Sequence, residues 1–325
     1  MTFICRTNLL NRTRLSSVQS SKFSTSMRSN QAKINHMTVI GAGLMGSGIA
    51  QVGIQSGLKV NLIDTSSKAL ENGLKSIQSS LHKSSKKLYP DSESKQNDFV
   101  EENLSKISTS NQIDKGLEKT DLIIEAIIEN LKIKQTLFKT LEEVSNSNCI
   151  LTSNTSSIKL SEISKVIGQE RQSRVAGLHF FNPVPRMKLV EIIRTEQTDQ
   201  STIDSLTELC KRMGKAPVNC LDTPGFIVNR LLVPYLLEAM RMNERGEATI
   251  EDIDTAMKLG AGYPMGPFEL SDYVGLDTIK HILDGWRETD EEQIGQALLK
   301  PLKSLNDLVS QGKLGRKSGE GFKKY

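Results

Sequence analysis

Cysteine, acidic residues near the N-terminus and long apolar runs are all scarce in this sequence. Four cysteines occur in 325 residues, with no CxxC pair and no metal-ligand spacing, so we expect reduced thiols and no metal site. No apolar run approaches the ~20 residues that a membrane-spanning helix needs, so no membrane span is predicted. The net charge of +4 is too small to indicate a nucleic-acid partner.

The N-terminal segment is basic and contains no acidic residue, because the first Asp or Glu of the chain is Asp64. Its positive charges stand among many serines, at Arg6, Arg12, Arg14, Lys22, Arg28 and Lys33. Such a segment is typical of a mitochondrial transit peptide, which we assign to residues 1–30. A disordered basic tail is the alternative. A transit peptide would direct the chain to the mitochondrial matrix.

A glycine-rich turn follows the first predicted strand. Met37–Ile40 is a short apolar run, and a GxGxxG pattern comes next, ahead of apolar residues at helical spacing. Strand, glycine turn and helix in this order predict a dinucleotide site. Gly41 permits the tight turn, Gly43 lets the backbone approach a pyrophosphate, and Gly46 lets the helix pack close to the strand.

A carboxylate ends the second predicted strand, Lys59–Ile63, at Asp64. At this position a carboxylate accepts hydrogen bonds from the ribose hydroxyls of a dinucleotide. It would also repel a 2′-phosphate, which favours NAD over NADP. The alternative is that Asp64 caps the following helix.

Two long polar helical patterns follow, at about residues 66–88 and 96–107. The segment 80–87 is basic. Taken alone, these residues favour a solvated helix face over a clamp for the phosphates of an acyl carrier.

Polar residues recur where the later strands of the sheet are expected to end. One predicted strand, 121–126, leads into Glu129 and Lys134, and another, 149–153, ends at the polar cluster 154–157. Open α/β sheets bind ligands beyond the carboxyl ends of their strands, so this cluster is placed to contact nicotinamide or substrate. An ordinary cap for the helix that starts near residue 161 is the alternative.

Two ionisable side chains, His179 and Glu191, lie in consecutive apolar strands predicted at 174–185 and 188–193. Neither is expected there without a partner, and each would satisfy the other. A neutral imidazole accepts the proton of an alcohol that loses a hydride, and a carboxylate on the other ring nitrogen orients it. The pair therefore predicts an alcohol dehydrogenase chemistry, with a satisfied core histidine as the alternative.

The chain after residue 222 has a helical texture without strand alternation. Pro224 suits a helix start, and Asn229 would lie in the first turns of that helix, near the junction of the two halves. Trp286 is a predicted core residue. Further helices are predicted at 251–259, 269–285, 291–298 and 302–311.

With these segments in place, the sequence closely resembles the L-3-hydroxyacyl-CoA dehydrogenases of the mitochondrial, monofunctional type, from about residue 36 to the end. The motifs that carry the resemblance are GAGLMGSGIAQ (41–51), IIEN (127–130), SNTSSI (153–158), GLHFFNPVP (177–185), MKLVEII (187–193), DTPGFIVNRLL (222–232) and GYPMGPFEL (262–270).

The resemblance implies an α/β Rossmann-like domain (34–222) with a helical-hairpin insertion, followed by an all-α C-terminal domain (223–325) that dimerises. It implies His179 and Glu191 as the catalytic pair, with Ser156 and Asn229 on the substrate oxygens. The residues implied around NAD are Gly41, Ala42, Gly43, Leu44, Met45, Gly46, Asp64, Glu129, Lys134, Asn182 and Lys317. The residues implied to hold the acyl-CoA are Ser80, Lys87 and Ser156.

The implied reaction converts (S)-3-hydroxyacyl-CoA and NAD⁺ to 3-ketoacyl-CoA and NADH, a step of β-oxidation. Ala42 stands where the family often has Gly, and Lys323 where a Tyr is frequent; neither puts a site in doubt. A relative acting on a small free hydroxy acid is the alternative enzyme, and it would not need Ser80 or Lys87. A non-catalytic protein on the same fold is a further alternative, disfavoured because His179 and Asp64 are present.

Overall fold

The computed structural model describes most of the chain after residue 32. The described ranges are 33–113, 117–289, 294–295 and 301–325. The predicted transit peptide at 1–30 lies outside them, as does most of the helix predicted at 291–298.

Eight strands form one sheet in the described part of the chain. They are β1 His36–Ile40, β2 Lys59–Ile63, β3 Ile107–Ser110, β4 Leu122–Glu125, β5 Ile150–Ser153, β6 Val175–Phe180, β7 Leu189–Arg194 and β8 Ala216–Leu221. Their order is β3-β2-β1-β4-β5-β6-β7-β8. All neighbours pair in parallel except β6 and β7, which are antiparallel. The carboxyl ends of β1 to β6 therefore meet at one edge of the sheet.

Helices cover both faces of this sheet. They are α1 Leu44–Gln55, α2 Ser67–Leu88, α3 Glu93–Leu104, α4 Leu131–Val144, α5 Leu160–Ser164, α6 Gln169–Gln172 and α7 Gln200–Arg212. Successive strand residues point to opposite cores: Val39 packs with Ile49 of α1, and Ile40 packs with Phe138 of α4. Burial on both faces explains why the central strands read as continuous apolar runs. Helices α2 and α3 pack on each other as the predicted helical hairpin.

The C-terminal half is helical and has its own core. Its helices are α8 Val228–Glu244, α9 Ile250–Gly260, α10 Pro267–Val274, α11 Leu276–Thr289 and α12 Lys303–Ser310. Trp286 packs in this core with Phe268 and Leu276, as predicted. The predicted fold class is thereby confirmed. No helix in the described ranges combines the length and the apolar composition that crossing a membrane requires.

Two predicted helices have wrong boundaries, one because an edge strand follows it and one because a glycine interrupts it. The helix predicted at 96–107 ends at Leu104, because residues 107–110 form the edge strand β3 beside β2. The helix predicted at 269–285 is two helices, separated at Gly275, whose φ of +105° breaks the helical path. Strand β8 was not predicted; as an edge strand it is mostly exposed and lacks a continuous apolar run.

The helix start predicted at Pro224 is also wrong, because α8 begins at Val228. Gly225 and Phe226 both adopt positive φ angles, +73° and +53°, and two successive left-handed residues cannot belong to a right-handed helix.

Candidate active site

The glycine turn has the packing that the sequence predicts. Gly41 has φ +107°, and a Cβ there would lie 2.5 Å from the carbonyl oxygen of Ala126. A Cβ on Gly46 would lie 1.7 Å from the carbonyl oxygen of Gly41. A Cβ on Gly43 would meet nothing within 4 Å. Two of the glycines therefore permit close packing, and the middle one faces open space of the kind a pyrophosphate needs.

The first turn of α1 points its backbone N–H groups toward this open space. Its N-cap residue, Gly43, makes no side-chain capping bond, and the first turn carries no acidic residue. No side chain of the helix itself neutralises the positive end of its dipole, which suits phosphate groups. The residues present fit the phosphates of a dinucleotide.

A cleft of about 630 Å³ adjoins the glycine turn and Asp64. The Asp64 carboxylate accepts hydrogen bonds from Ala42 N at 2.8 Å and from Ser66 N at 2.9 Å. The alternative role of Asp64 as a helix cap is wrong, since Ser66 caps α2 by accepting from Ala69 N. The larger apolar side chains that line the cleft are Ile40, Ile63, Ile113, Ile127, Ile128, Ile133 and Leu137.

A buried network of three charges lies beside the cleft. The Lys134 ammonium lies 2.6 Å from Glu125 Oε1 and 3.1 Å from Glu129 Oε2. Glu125 also accepts hydrogen bonds from Ile127 N and from the hydroxyl of Ser153. Lys134 and Glu125 are 1% and 0% exposed, so in this structure the predicted NAD residue Lys134 is bound between two carboxylates.

The other oxygen of Glu129 organises the polar cluster after β5. Oε1 accepts hydrogen bonds from the Thr155 hydroxyl at 2.6 Å, from Ser156 N at 2.9 Å and from Ser157 N at 3.1 Å. Desolvation opposes the charged form of Glu129. The Lys134 ammonium and these hydrogen bonds outweigh it, and the pKa of the carboxyl lies below its ordinary value.

The polar cluster is not an ordinary helix cap, so that alternative is wrong. The first amides of α5, Leu160 N and Ser161 N, donate instead to the carboxylate of Asp222, at 2.7 and 2.8 Å. The cluster is therefore left at the carboxyl edge of the sheet, bound to Glu129.

His179 and Glu191 face each other across the antiparallel strands β6 and β7, where they are directly paired. His179 Nδ1 lies 2.7 Å from Glu191 Oε2, and both residues are buried. The aromatic rings of Phe181 and Phe226 lie 4.5 and 5.7 Å from the imidazole, between ring centroids. The contact that the sequence predicts is present, while its catalytic role stays a prediction.

Glu191 also bonds to the helical half of the chain. Its Oε1 accepts hydrogen bonds from Ile227 N at 3.0 Å and Val228 N at 2.9 Å, at the start of α8. Burial opposes the charged form, but the hydrogen bonds from His179 and these two amides hold the pKa of Glu191 below its ordinary value. A carboxylate with three donors is thus stabilised as the anion.

Asn229 lies next along α8 and reaches the polar cluster. Its Nδ2 donates to the carbonyl oxygen of Ser156 at 3.2 Å. The structure therefore brings four of the predicted residues, His179, Glu191, Ser156 and Asn229, into one connected region.

Four other predicted residues are not part of this connected region. Ser80 is half-buried and Lys87 is exposed on α2. Lys317 Nζ pairs with Asp277 in the helical half, at 2.5 Å. Asn182 is exposed directly after β6, before the cis peptide bond to Pro183. Their roles stay predictions.

Sequence reasoning missed three charged residues around the site. Glu125 could have been found, since it is a carboxylate in an apolar strand, as Glu191 is. Asp222 and Lys215 do not lie in apolar strands, so the sequence around them gives no indication that they are important. Lys215 is buried, and its ammonium donates to the carbonyl oxygens of Val184 and Met187, in the loop after β6.

Comparison with known proteins gives matches over most of the chain. Residues 36–223 match the family model of the 3-hydroxyacyl-CoA dehydrogenase NAD binding domain, and residues 225–325 match the C-terminal domain of the same family. The sequence is 56% identical over 292 residues to the mitochondrial hydroxyacyl-coenzyme A dehydrogenase of Rattus norvegicus, covering 90% of this chain and 91% of that protein. Identity to the Homo sapiens protein of that name is 53% over 306 residues, covering 94% and 96%.

Solved structures share the fold over most of their length. FadB2 of M. tuberculosis has a TM-score of 0.82 at 38% identity, with 90% of this chain and 100% of that chain covered. The (S)-3-hydroxybutyryl-CoA dehydrogenase PaaH1 of Ralstonia eutropha has a TM-score of 0.81 at 36% identity, with 90% and 99% covered. Since both halves of the chain match one family in the order that this family has them, the protein is a member of the 3-hydroxyacyl-CoA dehydrogenase family and its cofactor is NAD.

Proposed function

We propose that this chain oxidises the 3-hydroxyl of an (S)-3-hydroxyacyl-CoA to a 3-keto group, with His179 as general base and Glu191 as its partner. The observation that carries the proposal is the 2.7 Å contact between His179 Nδ1 and Glu191 Oε2. This contact lies at the same sheet edge as the glycine turn. Strand β6, which carries His179, is three strands from β1, so at ~4.8 Å between neighbouring strands the two strands are roughly 14 Å apart.

The orientation of the imidazole assigns its two nitrogens. Because Nδ1 faces Glu191, Nε2 is the nitrogen available to take the proton of the substrate hydroxyl. The Glu191 carboxylate then stabilises the imidazolium that forms. Bound NAD⁺ supplies the acceptor for the hydride that leaves the carbinol carbon. A positioned general base contributes about 10²–10⁴ in rate.

Ser156 and Asn229 would hold the oxygens of the substrate. Both lie on backbone that is tied to the site, Ser156 through its amide to Glu129 and Asn229 through the first turn of α8 that contacts Glu191. Two polar side chains fixed in this way can orient a hydroxyl and a thioester carbonyl toward His179.

The cofactor and carrier contacts belong to the same proposal. The residues proposed to contact NAD are Gly41, Ala42, Gly43, Leu44, Met45, Gly46, Asp64, Glu129, Lys134, Asn182 and Lys317. Ser80 and Lys87 on α2 are proposed to hold the CoA, which is anionic and would be attracted by the exposed lysines of that helix. We further propose that the reaction serves β-oxidation in the mitochondrial matrix, since relatives are named mitochondrial.

We propose a homodimer formed through the helical half. Leu231 and Leu259 are 71% and 83% exposed there. Large apolar side chains this exposed are candidates for burial against a second copy of the chain.

His179→Gln tests the base assignment. We expect kcat for NADH formation from 3-hydroxyacyl-CoAs of C4 to C16 to fall at least about 100-fold, because the glutamine cannot accept the proton. His281→Gln, at an exposed position on α11, is the matched control and should keep wild-type activity.

The same assay with free 3-hydroxybutyrate separates the proposal from the alternative enzyme. We expect little turnover without the CoA moiety. A His179→Gln variant that retains most activity would remove the base assignment, and preference for the free acid would remove the substrate assignment.

A further inference from the structure

The turn between β8 and α8 holds Phe226 in a backbone conformation that this residue type seldom adopts. Its φ is +53°, and it is the one non-glycine residue with positive φ in the described ranges. Glycine, asparagine or aspartate would adopt this conformation with less strain. Strain of this kind persists where the surrounding structure enforces it and is concentrated at functional sites.

The Phe226 ring makes contacts that a smaller side chain at this strained position would lack. It is 4% exposed and packs in the core that contains Phe138 and Leu160 of the sheet domain. Of the described residues beyond 222, it alone belongs to that core. The ring also lies 5.7 Å from the imidazole of His179, between centroids, with an angle of 59° between the planes. The side chain therefore fixes the start of the helical half directly beside the catalytic histidine.

The backbone that follows Phe226 delivers two amides to the catalytic carboxylate. Ile227 N and Val228 N both donate to Glu191 Oε1. The turn itself is held by the bond from Phe226 N to the carbonyl oxygen of Thr223. Residue 225 has no room for a side chain, because a Cβ there would lie 2.4 Å from Cζ2 of Trp286.

We propose that Phe226 is a positioning residue for the catalytic pair. Its ring restrains the His179 imidazole on one side, and its left-handed backbone aims the amides of Ile227 and Val228 at Glu191. The inference rests on the proposed function, because it assumes that His179 and Glu191 perform the oxidation. A side chain that serves only to fill the core would affect stability without affecting the pair.

Phe226→Leu, compared with Phe268→Leu, separates these two roles. Phe268 is 1% exposed in the helical core, where its ring packs on Phe322, so both variants remove one buried aromatic ring. We expect both to lower Tm. Only Phe226→Leu should lower kcat, by about 10- to 100-fold, as small misplacements of reacting groups do. The KM for acyl-CoA, and the Kd for NADH measured by fluorescence titration, should stay within about twofold of wild type. The reason is that a misplacement confined to His179 and Glu191 leaves the binding of substrate and cofactor intact.

Phe226→Gly provides a second variant that keeps the turn, because glycine adopts φ +53° without strain. It should lower kcat as Phe226→Leu does, since the ring is absent. A Phe226→Gly protein with wild-type kcat would overturn the role of the ring.

A double-mutant cycle with Glu191→Gln tests whether Phe226 acts through the pair. If it does, Phe226→Leu lowers kcat much less in the Glu191→Gln background than in wild type. Losses that simply multiply would overturn the inference, and so would equal kcat losses in Phe226→Leu and Phe268→Leu. A wild-type protein inactive on 3-hydroxyacyl-CoA would instead contradict the proposed function.

Discussion

At the scale of single residues, two buried carboxylates are each surrounded by hydrogen-bond donors. Glu125 and Glu191 are both 0% exposed and lie in apolar strands. Glu125 accepts from Lys134, Ser153 and Ile127 N. Glu191 accepts from His179 and two backbone amides. A buried charge of this kind is stable only while its donors remain in place.

Glu125→Ala should therefore destabilise the protein strongly. It leaves the Lys134 ammonium buried with Glu129 as its remaining charged partner and leaves the Ser153 hydroxyl without its acceptor. We expect the free energy of unfolding, measured in urea, to fall by about 3 kcal/mol. Glu101→Ala, at an exposed position on α3, should change it by less than about 0.5 kcal/mol. A loss below about 1 kcal/mol for Glu125→Ala would contradict this account.

At the scale of elements, the glycines in the turn between β1 and α1 have different structural roles. Gly46 gives the closest approach between α1 and the turn, and Gly43 faces the open cleft. A methyl group has no space at Gly46 and ample space at Gly43. Packing and cofactor binding can thus be separated by two alanine substitutions.

Gly46→Ala should lower both stability and NADH affinity, because α1 must move away from the Gly41 carbonyl. We expect about 1–3 kcal/mol of destabilisation, as for other overpacked sites. Gly43→Ala should keep the wild-type Tm while weakening NADH binding at least about tenfold, or ~1.4 kcal/mol. Thermal unfolding and fluorescence titration measure the two effects. Equal Tm values for the two variants would show that the glycines do not divide their roles in this way.

The edge strands show where a local pattern is insufficient. Only the first residue of strand β3 (Ile107–Ser110) lay within a predicted element, the helix at 96–107, and β8 (Ala216–Leu221) was not predicted. Each has one neighbour in the sheet, β2 or β7, and neither is buried on both faces. Their strand conformation depends on pairing with a strand distant in sequence, and a local sequence pattern carries no information about that pairing.

At the scale of the whole molecule, three groups of polar contacts hold the segment 222–229, where the two halves of the chain meet, at the sheet. Asp222 bonds to the start of α5, the amides before and at the start of α8 bond to Glu191, and Asn229 bonds to Ser156. All three lie at the carboxyl edge of the sheet. The proposed active site therefore depends on the arrangement of both halves.

The proposed homodimer predicts the behaviour of the molecule in solution. Light scattering should give a mass about twice that of the chain. Leu259→Glu replaces an apolar side chain of the helical half that is 83% exposed with a charge and should raise the monomer fraction. Leu88→Glu is the matched control, because Leu88 is 59% exposed on α2. A wild-type monomer at micromolar concentration would contradict the proposed dimer.

The sequence alone determined the features that depend on local spacing. The glycine turn, Asp64 at the end of β2, and the placement of His179 and Glu191 in consecutive apolar strands were all readable, because each follows from strand or turn periodicity. The resemblance added the individual roles of Ser156 and Asn229, because the local pattern only placed the cluster 154–157 to contact nicotinamide or substrate.

Tertiary structure alone decided which distant groups meet. The bonds of Glu125 and Glu129 to residues 153–157, the Asp222 contact with α5 and the left-handed turn at Phe226 all join segments far apart in sequence or depend on packing against them. Their geometry is set by the sheet order and by the contact between the two halves. For that reason the contact of His179 with Glu191 could be predicted from its strands, but the turn that carries the amide donors of Glu191 could not.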